Sequence, residues 1–257
     1  MTRRSITRLP WFWGAVGVVG AISLWQIVST VLRVPLYLLP SPWATLEALV
    51  ADAALLAPHL ATTAIESVAG LALAFFFGVG IAAAMGASRV SRGLIYPSLV
   101  LSQAVPLMAV APLVLIWFGL GPSAKVLIVA FICFFPITVN AYEGFRAVDP
   151  LYLEFLQTLG ARRRDVYRHV VLPATLPGIF AGLRVGATYS VLGAVVGEWL
   201  GGSRGLGVYM TRALQSFRTD RLFAAILLVM FMSLGLFKVV DEVGGRLTPW
   251  VQRRQHA

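Results

Sequence analysis

Few side chains in this sequence could do covalent chemistry. The chain has three histidines and one cysteine, and its only lysines are Lys125 and Lys238. No His-Glu-x-x-His or Gly-x-Ser-x-Gly motif places a metal or a nucleophile beside a base, and no Gly-x4-Gly-Lys-Ser/Thr loop could hold nucleotide phosphates. Ser88, in "GASRV", has no partner histidine. The sequence therefore predicts no catalytic residue, no metal site and no cofactor in this chain.

Seven polar side chains interrupt long apolar runs. They are Glu66, Gln103, Asn140, Arg184, Tyr189, Ser190 and Glu198. Inside a bilayer such side chains are costly, and they normally face the interior of a helix bundle. Each is expected either to line a polar path or to form a hydrogen bond between helices. For Glu66 we favour the structural role, with Arg184 as its partner.

The composition places these side chains in a membrane protein. Hydrophobic residues make up 58% of the chain and charged residues only 12%, which is too little polar surface for a water-soluble globule of this size. The net charge of +10 would suit nucleic acid, but the basic residues separate apolar runs instead of sharing a soluble face. Cys133 lies in an apolar run and is predicted to be a small core residue.

Six runs are long enough to cross a membrane. They cover about 11–32, 61–85, 94–120, 125–142, 174–199 and 222–240. The sequence thus predicts an all-α polytopic bundle of about six spans, forming one membrane domain over residues 1–257. The first run is interpreted as an uncleaved anchor. Of the 21 Lys and Arg residues, fourteen fall on one side of the spans and six on the other, which predicts that both termini are cytoplasmic.

Local signals refine this outline. Ser41 before Pro42 is typical of a helix N-terminus, and it predicts a short amphipathic helix on the outer surface. His59 is expected to be solvated or interfacial. Small residues in two spans predict close helix contacts. These are Gly78, Ala82 and Gly86 in one span, and Gly182 and Gly186 in the other.

The most charged segment, "EFLQTLGARRRDVYRHVVLPATLP" at 154–177, follows the fourth run. Pro150 can open a short helix, and Gly160 permits a sharp bend. A second short helix would then expose Arg162, Arg163, Arg164 and Arg168 and turn Val166, Tyr167 and Val170 inward. The arginines alone fit a basic loop that contacts lipid phosphates. The residue spacing favours a more specific interpretation.

That spacing resembles the signature loop of bacterial ABC-importer permeases, in which Glu-Ala-Ala, a glycine, an isoleucine and Leu-Pro recur at fixed intervals. Glu154 and Gly160 keep their interval, Val170 stands at the isoleucine position, and Leu172 and Pro173 end the motif in register. Phe155 and Leu156 replace the two alanines.

The resemblance extends over nearly the whole chain. "LLPSPWATLEAL" is similar to the subgroup that imports sulfonates, taurine, nitrate and thiamine-precursor pyrimidines. Within it, "QAVPLMAVAPL", "AFICFFPITVNAYEG" and "AVVGEWLGGSRGLG" are most similar to permeases for hydroxymethylpyrimidine-type precursors or riboflavin-like vitamins. The resemblance implies a type I importer permease in the bacterial cytoplasmic membrane. Implied partners are a cytoplasmic ATPase dimer that uses ATP and Mg, a second permease copy, an extracytoplasmic binding protein and membrane lipid, with no nucleic acid.

The resemblance also assigns roles to residues. The segment at about 146–172 would form the coupling helices that contact the ATPase. Its contact residues would be Glu154, Phe155, Leu159, Gly160, Ala161, Arg162, Arg163, Leu172 and Pro173. A translocation path on the third, fourth and fifth spans would be lined by Gln103, Asn140, Tyr189, Ser190 and Glu198. Glu198, before "GGSRGLG", is the candidate for gating or for contact with the binding protein.

Other classes remain to be weighed against this one. A membrane enzyme would need the nucleophile, base or metal set that the spans lack. A self-powered ATPase would need a phosphate-binding loop. A passive channel or scaffold is compatible with the hydropathy, but it has no need for a Glu-Gly-Leu-Pro elbow. The absence of clustered positive charge in the spans favours a neutral solute over an anion.

Overall fold

A computed structural model describes residues 10–250 of the chain, and within this range every regular element is a helix. The helices are α1 (Pro10–Val31), α2 (Pro42–Ala51), α3 (Ala53–Ala87), α4 (Arg89–Ser102), α5 (Leu107–Phe118), α6 (Pro122–Arg146), α7 (Pro150–Thr158), α8 (Arg163–Val166), α9 (Leu172–Gly201), α10 (Leu206–Gln215) and α11 (Thr219–Leu247). A π turn, Tyr167–Val171, joins α8 to α9. The all-α prediction is confirmed. Five of the arginines counted above for topology lie outside the described range, namely Arg3, Arg4, Arg8, Arg253 and Arg254.

Five helical stretches of the described chain are long and apolar enough to cross a membrane. They are Phe12–Val31, Ala53–Ala87, Pro122–Arg146, Arg163–Gly201 and Thr219–Leu247. The predicted third span, at about 94–120, is not one helix, because it breaks between α4 and α5. Pro106 accounts for the break, since proline has no N–H and disfavours the helical conformation for the preceding residue. Hydropathy alone does not detect this interruption.

Helix α2 begins as the sequence predicts. The Ser41 hydroxyl accepts a hydrogen bond from the Ala44 N–H at 3.1 Å, and Pro42 occupies the first turn. Trp43 is 65% exposed, and its indole N–H donates to Glu47 at 2.6 Å. The helix ends at Ala51, and Asp52 separates it from α3. The surface on which α2 lies stays a prediction.

The described chain forms two compact units, and the first comprises residues 10–58 and 209–228. In this unit the indole N–H of Trp25 donates to the Pro40 carbonyl at 2.9 Å, and the Trp25 ring contacts Phe223 with centroids 5.5 Å apart. Asp52 accepts from the Tyr209 hydroxyl at 2.6 Å and pairs with Arg221 at 2.9 Å. These contacts join the loop around Asp52 to α10 and to the start of α11.

Replacing Tyr209 with phenylalanine is expected to lower the free energy of unfolding by about 1.5–3 kcal/mol, the usual worth of a hydrogen bond to a charged group. Burial, and then the hydrogen bond to Asp52, raise the pKa of Tyr209 above its ordinary value. The neutral phenol therefore stabilises the fold fully below about pH 10, and this stabilisation is lost as the pH rises through the higher folded pKa. Thermal unfolding in detergent at pH 8 and above pH 10 tests this. The prediction would be contradicted if the wild-type melting temperature stayed constant into the alkaline range and the Y209F variant melted at the same temperature as the wild type.

The second unit comprises residues 59–208 and 229–250, and its core is the packing of α6 against α9. Ile137, Cys133 and Ala187 are completely buried there. Glycines let the two helices approach closely, because a Cβ at Gly182 would come 2.8 Å from the Ile137 Cα. The predicted close contacts of small residues are thus confirmed inside a single chain. Cys133 is a core residue, as predicted, and its Sγ–H donates to the Gly186 carbonyl at 3.2 Å.

Candidate functional site

The Arg-rich segment folds into the predicted elbow. The Asp149 side chain caps α7 by accepting from the Leu151 N–H at 2.9 Å. At the other end Gly160 has a φ of +78°, the left-handed conformation that glycine adopts most easily. The N–H groups of Gly160 and Ala161 donate to the carbonyls of Gln157 at 3.0 Å and Leu156 at 3.1 Å. This pair of bonds is a Schellman motif, so the bend after α7 has one defined direction.

One face of α7 is apolar and exposed. Leu151 is 72% exposed, Phe155 56% and Leu159 67%, and these three residues are spaced by four along the helix. Tyr152 is half exposed beside them. We call these four residues the coupling face. Leu153 and Leu156, on the other side of α7, are partly buried, and Glu154 is exposed. An exposed apolar stripe on a short helix is typical of a surface that contacts another protein.

Basic residues continue this surface beyond the bend. Arg162, Arg163, Arg164 and Arg168 are all exposed, as predicted, and Ala161 is partly buried. Val166 is buried, but Tyr167, predicted to turn inward, is 46% exposed. The Tyr167 ring stacks on Phe145 of α6, with centroids 6.5 Å apart. The elbow is therefore in contact with the core helix α6.

The elbow continues into α9 without a break. The π turn ends immediately before Leu172 and Pro173, which form the first turn of α9. Proline cannot donate a backbone hydrogen bond and its ring crowds the carbonyl four residues earlier, so the turn before it widens. Leu172 is exposed and Pro173 is partly buried. The predicted motif thus ends at the joint where the elbow meets the long helix.

Three of the five predicted path residues line one cavity of about 410 Å³. Gln103 caps the end of α4, Asn140 lies on α6 and Tyr189 on α9. Ile132, Phe135, Pro136 and Val139 of α6 complete the lining. Ser190 is not in this lining: it is fully buried, and its hydroxyl donates to the Ala187 carbonyl at 2.9 Å.

Glu198 lies in a separate buried network. It is 1% exposed, and its two carboxylate oxygens accept from the Thr63 hydroxyl and from the Gly207 N–H, each at 2.6 Å. The Leu206 N–H donates to the Thr63 hydroxyl at 2.8 Å. A carboxylate thus holds the Gly-rich loop after α9 against α3.

His59 belongs to the same network, so the expectation of a solvated histidine is wrong. Its ring is 5% exposed, and Nδ1 lies 2.8 Å from the carbonyl oxygen and 2.9 Å from the amide nitrogen of Gly205. A single ring nitrogen serves one of these groups at a time, according to its tautomer. The spacing of His59, Thr63 and Glu66 on one face of a helix is a signal from which this network could have been found.

The partners of the two charged span residues also differ from the prediction. Glu66 pairs with Lys125 at 3.1 Å, and both side chains are at least 96% buried. Arg184 pairs instead with Asp241 at 2.8 Å. The sequence predicts Lys125 among the basic residues on the outer side of the spans, but it lies buried in the first turn of α6. A charge at the start of a span can face the bundle interior, and sequence position alone does not reveal this.

A model of the family described as "Binding-protein-dependent transport system inner membrane component" matches residues 74–253. The match covers more than half of the chain, including α6, the elbow, the cavity helices and Glu198. The chain belongs to this family. It is a permease subunit of an ABC importer, a transport component and not an enzyme, and it is a protein of the inner membrane.

Known relatives agree with this assignment over almost their full lengths. The formylaminopyrimidine transport permease protein ThiX of Halalkalibacterium halodurans is 36% identical over 90% of this chain and 92% of that protein. The taurine transport permease TauC of Escherichia coli is 32% identical over 95% of this chain and 94% of that protein. Among solved structures, the permease fold of the MetNI methionine ABC transporter matches 72% of this chain and 94% of that chain, with a TM-score of 0.58 and 16% identity. This structural match confirms the type I permease fold.

Proposed function

We propose that this permease carries a thiamine-precursor pyrimidine or a related vitamin across the cytoplasmic membrane. An extracytoplasmic binding protein delivers the solute, and an ATPase dimer bound to the coupling face drives its passage. The observation that carries the coupling role is the exposed apolar face of α7, set at a fixed angle by the Schellman bend at Gly160. An interface of this kind combines an apolar contact with a polar rim, which Glu154 and the exposed arginines supply.

The substrate assignment rests on similarity and on charge. A relative covering nine-tenths of this chain is named as a formylaminopyrimidine permease. The cavity lining contains amide and phenol groups and, among the residues described, no charged side chain. Taurine or an aliphatic sulfonate is the second candidate, supported by the relative named for taurine transport. An anion is the poorer fit to such a lining, because a desolvated charge needs a partner of opposite sign.

The arrangement of partners follows from the same proposal. Two copies of the permease would enclose the pathway, and the exposed apolar helices α1 and α5 provide surface for a second copy and for lipid. Both termini and the elbow would face the cytoplasm, where Lys and Arg are in excess. ATP and Mg would bind to the ATPase and not to this chain. Within residues 10–250, no three His, Cys, Asp or Glu side chains come together as a metal site.

An affinity pull-down of the tagged permease from mild detergent tests the coupling role. We expect an ATPase subunit to co-purify, and the double replacement F155A/L159A to reduce its recovery at least about tenfold by deleting two apolar contacts. Phe76 is a matched control, because it is 72% exposed on α3 and far from α7 in sequence. Its replacement by alanine should leave the recovery unchanged. Equal loss in both variants, or no ATPase in several detergents, would count against the docking role.

A further inference from the structure

The cavity lined by Gln103, Asn140 and Tyr189 holds one of its polar groups, the Asn140 amide, in a fixed position. The Asn140 side-chain N–H donates to the Pro136 carbonyl at 2.7 Å. Only the NH₂ group of the amide can make this bond, so its oxygen is left as an acceptor elsewhere. Helix α9 supports the same residue from behind, because a Cβ on Gly182 would lie 3.1 Å from the Asn140 Cβ. Asn140 is therefore held in place before any ligand arrives.

Pro136 also interrupts the hydrogen bonding of helix α6 next to this cavity. Pro136 lies inside this helix and has no N–H, so the carbonyl of Ile132, four residues earlier, lacks its helical donor. Both residues line the cavity. A carbonyl freed in this way is tolerated within a membrane where it borders a polar cavity.

The remaining groups supply donors and a flat surface. The Gln103 amide can donate and accept, as can the hydroxyl of Tyr189. Tyr189 is 46% exposed, and Phe135 adds a second ring to the lining. Aromatic rings stack on flat ligands, and the amides of Asn and Gln bind a ring nitrogen together with the adjacent amino group, as they do with adenine. A cavity of about 410 Å³ has the size of a small-molecule site.

We propose that the permease itself selects its solute at this cavity: Asn140 and Gln103 bind the edge of a neutral nitrogen heteroaromatic ring that carries neighbouring donor and acceptor groups, and Tyr189 stacks on its face. The inference rests on the proposed import function. It adds a checkpoint within the membrane to the selection made by the binding protein. An anion or zwitterion with a sulfonate is rejected there, because none of the groups in the lining compensates its charge.

Uptake by proteoliposomes that contain the whole importer tests this, with labelled hydroxymethylpyrimidine as the probe and taurine as the competitor. We expect Asn140→Leu and Tyr189→Leu each to raise the half-saturating concentration about tenfold, with little change in the maximal rate, because each removes ligand contacts. Tyr189→Phe keeps the ring and should change it no more than about threefold. Thr188, exposed on α9 next to Tyr189 and absent from the lining, is the control, and Thr188→Ala should transport normally.

Two readouts separate this proposal from the import function. ATPase co-purification and ATP hydrolysis stimulated by the binding protein should persist in every variant. Asn140 packs against α9, so its replacement could impair folding. Tyr189 is half exposed, so its replacement should leave the fold intact and test the proposal independently. The proposal is overturned if both leucine variants keep the wild-type half-saturating concentration, if taurine competes as well as unlabelled pyrimidine, or if an importer with active ATPase takes up no pyrimidine. A failed pull-down would instead count against the docking of the ATPase on the coupling face.

Discussion

Gly160→Val is expected to abolish ATP-driven uptake while the permease still folds and enters the membrane. The φ of +78° at this position costs an L-residue roughly 1–2 kcal/mol, and a β-branched side chain is among the least tolerant. The strain is relieved by opening the Schellman bend, which re-aims the coupling face on α7. We therefore expect uptake to fall at least about tenfold while ATP hydrolysis by the partner continues. Proteoliposome uptake and phosphate release, measured on the same preparation, give both quantities.

The control for this variant separates conformation from size. There is room for a side chain at this position, because a Cβ on Gly160 would meet nothing within 4 Å. Asparagine tolerates the left-handed conformation, so Gly160→Asn should keep most of the uptake. Gly93, on α4, is equally open but has helical backbone, and Gly93→Val should transport normally. Full uptake in the Gly160→Val variant, or equal losses with valine and asparagine, would contradict the role given to the bend.

Glu198→Ala is expected to cause the largest loss of stability. It removes the carboxylate that accepts from the Thr63 hydroxyl and from the Gly207 N–H, and a hydrogen bond to a charged group is worth about 1.5–3 kcal/mol. The loop between α9 and α10 would lose its charged attachment to α3 and would keep the contacts of Gly205 with His59 and of Leu206 with Thr63. We expect a clear fall in the melting temperature in detergent and faster proteolysis within residues 202–207.

A glutamine at this position tests how much of the lost stability comes from the hydrogen bonds of Glu198. Its amide oxygen can accept from Gly207, and its NH₂ group can donate to the Thr63 oxygen, so Glu198→Gln should recover much of the stability. Glu242 is exposed on α11, and Glu242→Ala should change stability by less than about 0.5 kcal/mol. A Glu198→Ala protein as stable as the Glu242→Ala protein would rule out the structural role. A stable protein that no longer accepts solute from its binding protein would support the gating role predicted from the sequence.

The elbow could be predicted from the sequence because its signals are local. Pro150, Gly160 and Pro173 each restrict or free the backbone in a way that depends on the residue itself. The start of α7, the bend and the joint all appear at the predicted positions. The break at Pro106 had an equally local signal, but the long apolar run around it outweighed that signal in the prediction of a single third span.

The buried polar pairs could not be predicted in the same way. Glu66 had three basic candidates in or near the spans, Lys125, Arg184 and Lys238, and the choice depends on how the helices pack. The same limit applies to the path residues. Tyr189 and Ser190 are neighbours in sequence, yet one lines the cavity and the other is buried against its own helix. Neighbouring residues on a helix point about 100° apart. Which of them faces the cavity therefore depends on how the helix packs against the other helices.

The pair between Glu66 and Lys125 has a consequence for biogenesis. The two residues are 59 positions apart, and the acidic one is synthesised first. An ammonium group that enters a bilayer without a counterion carries a penalty of several kcal/mol. Helices that enter the membrane in their order of synthesis would place the carboxylate of α3 in the bilayer before Lys125 arrives with α6, so that the lysine meets its counterion there. The order of the helices along the chain would thus favour formation of this buried ion pair during insertion.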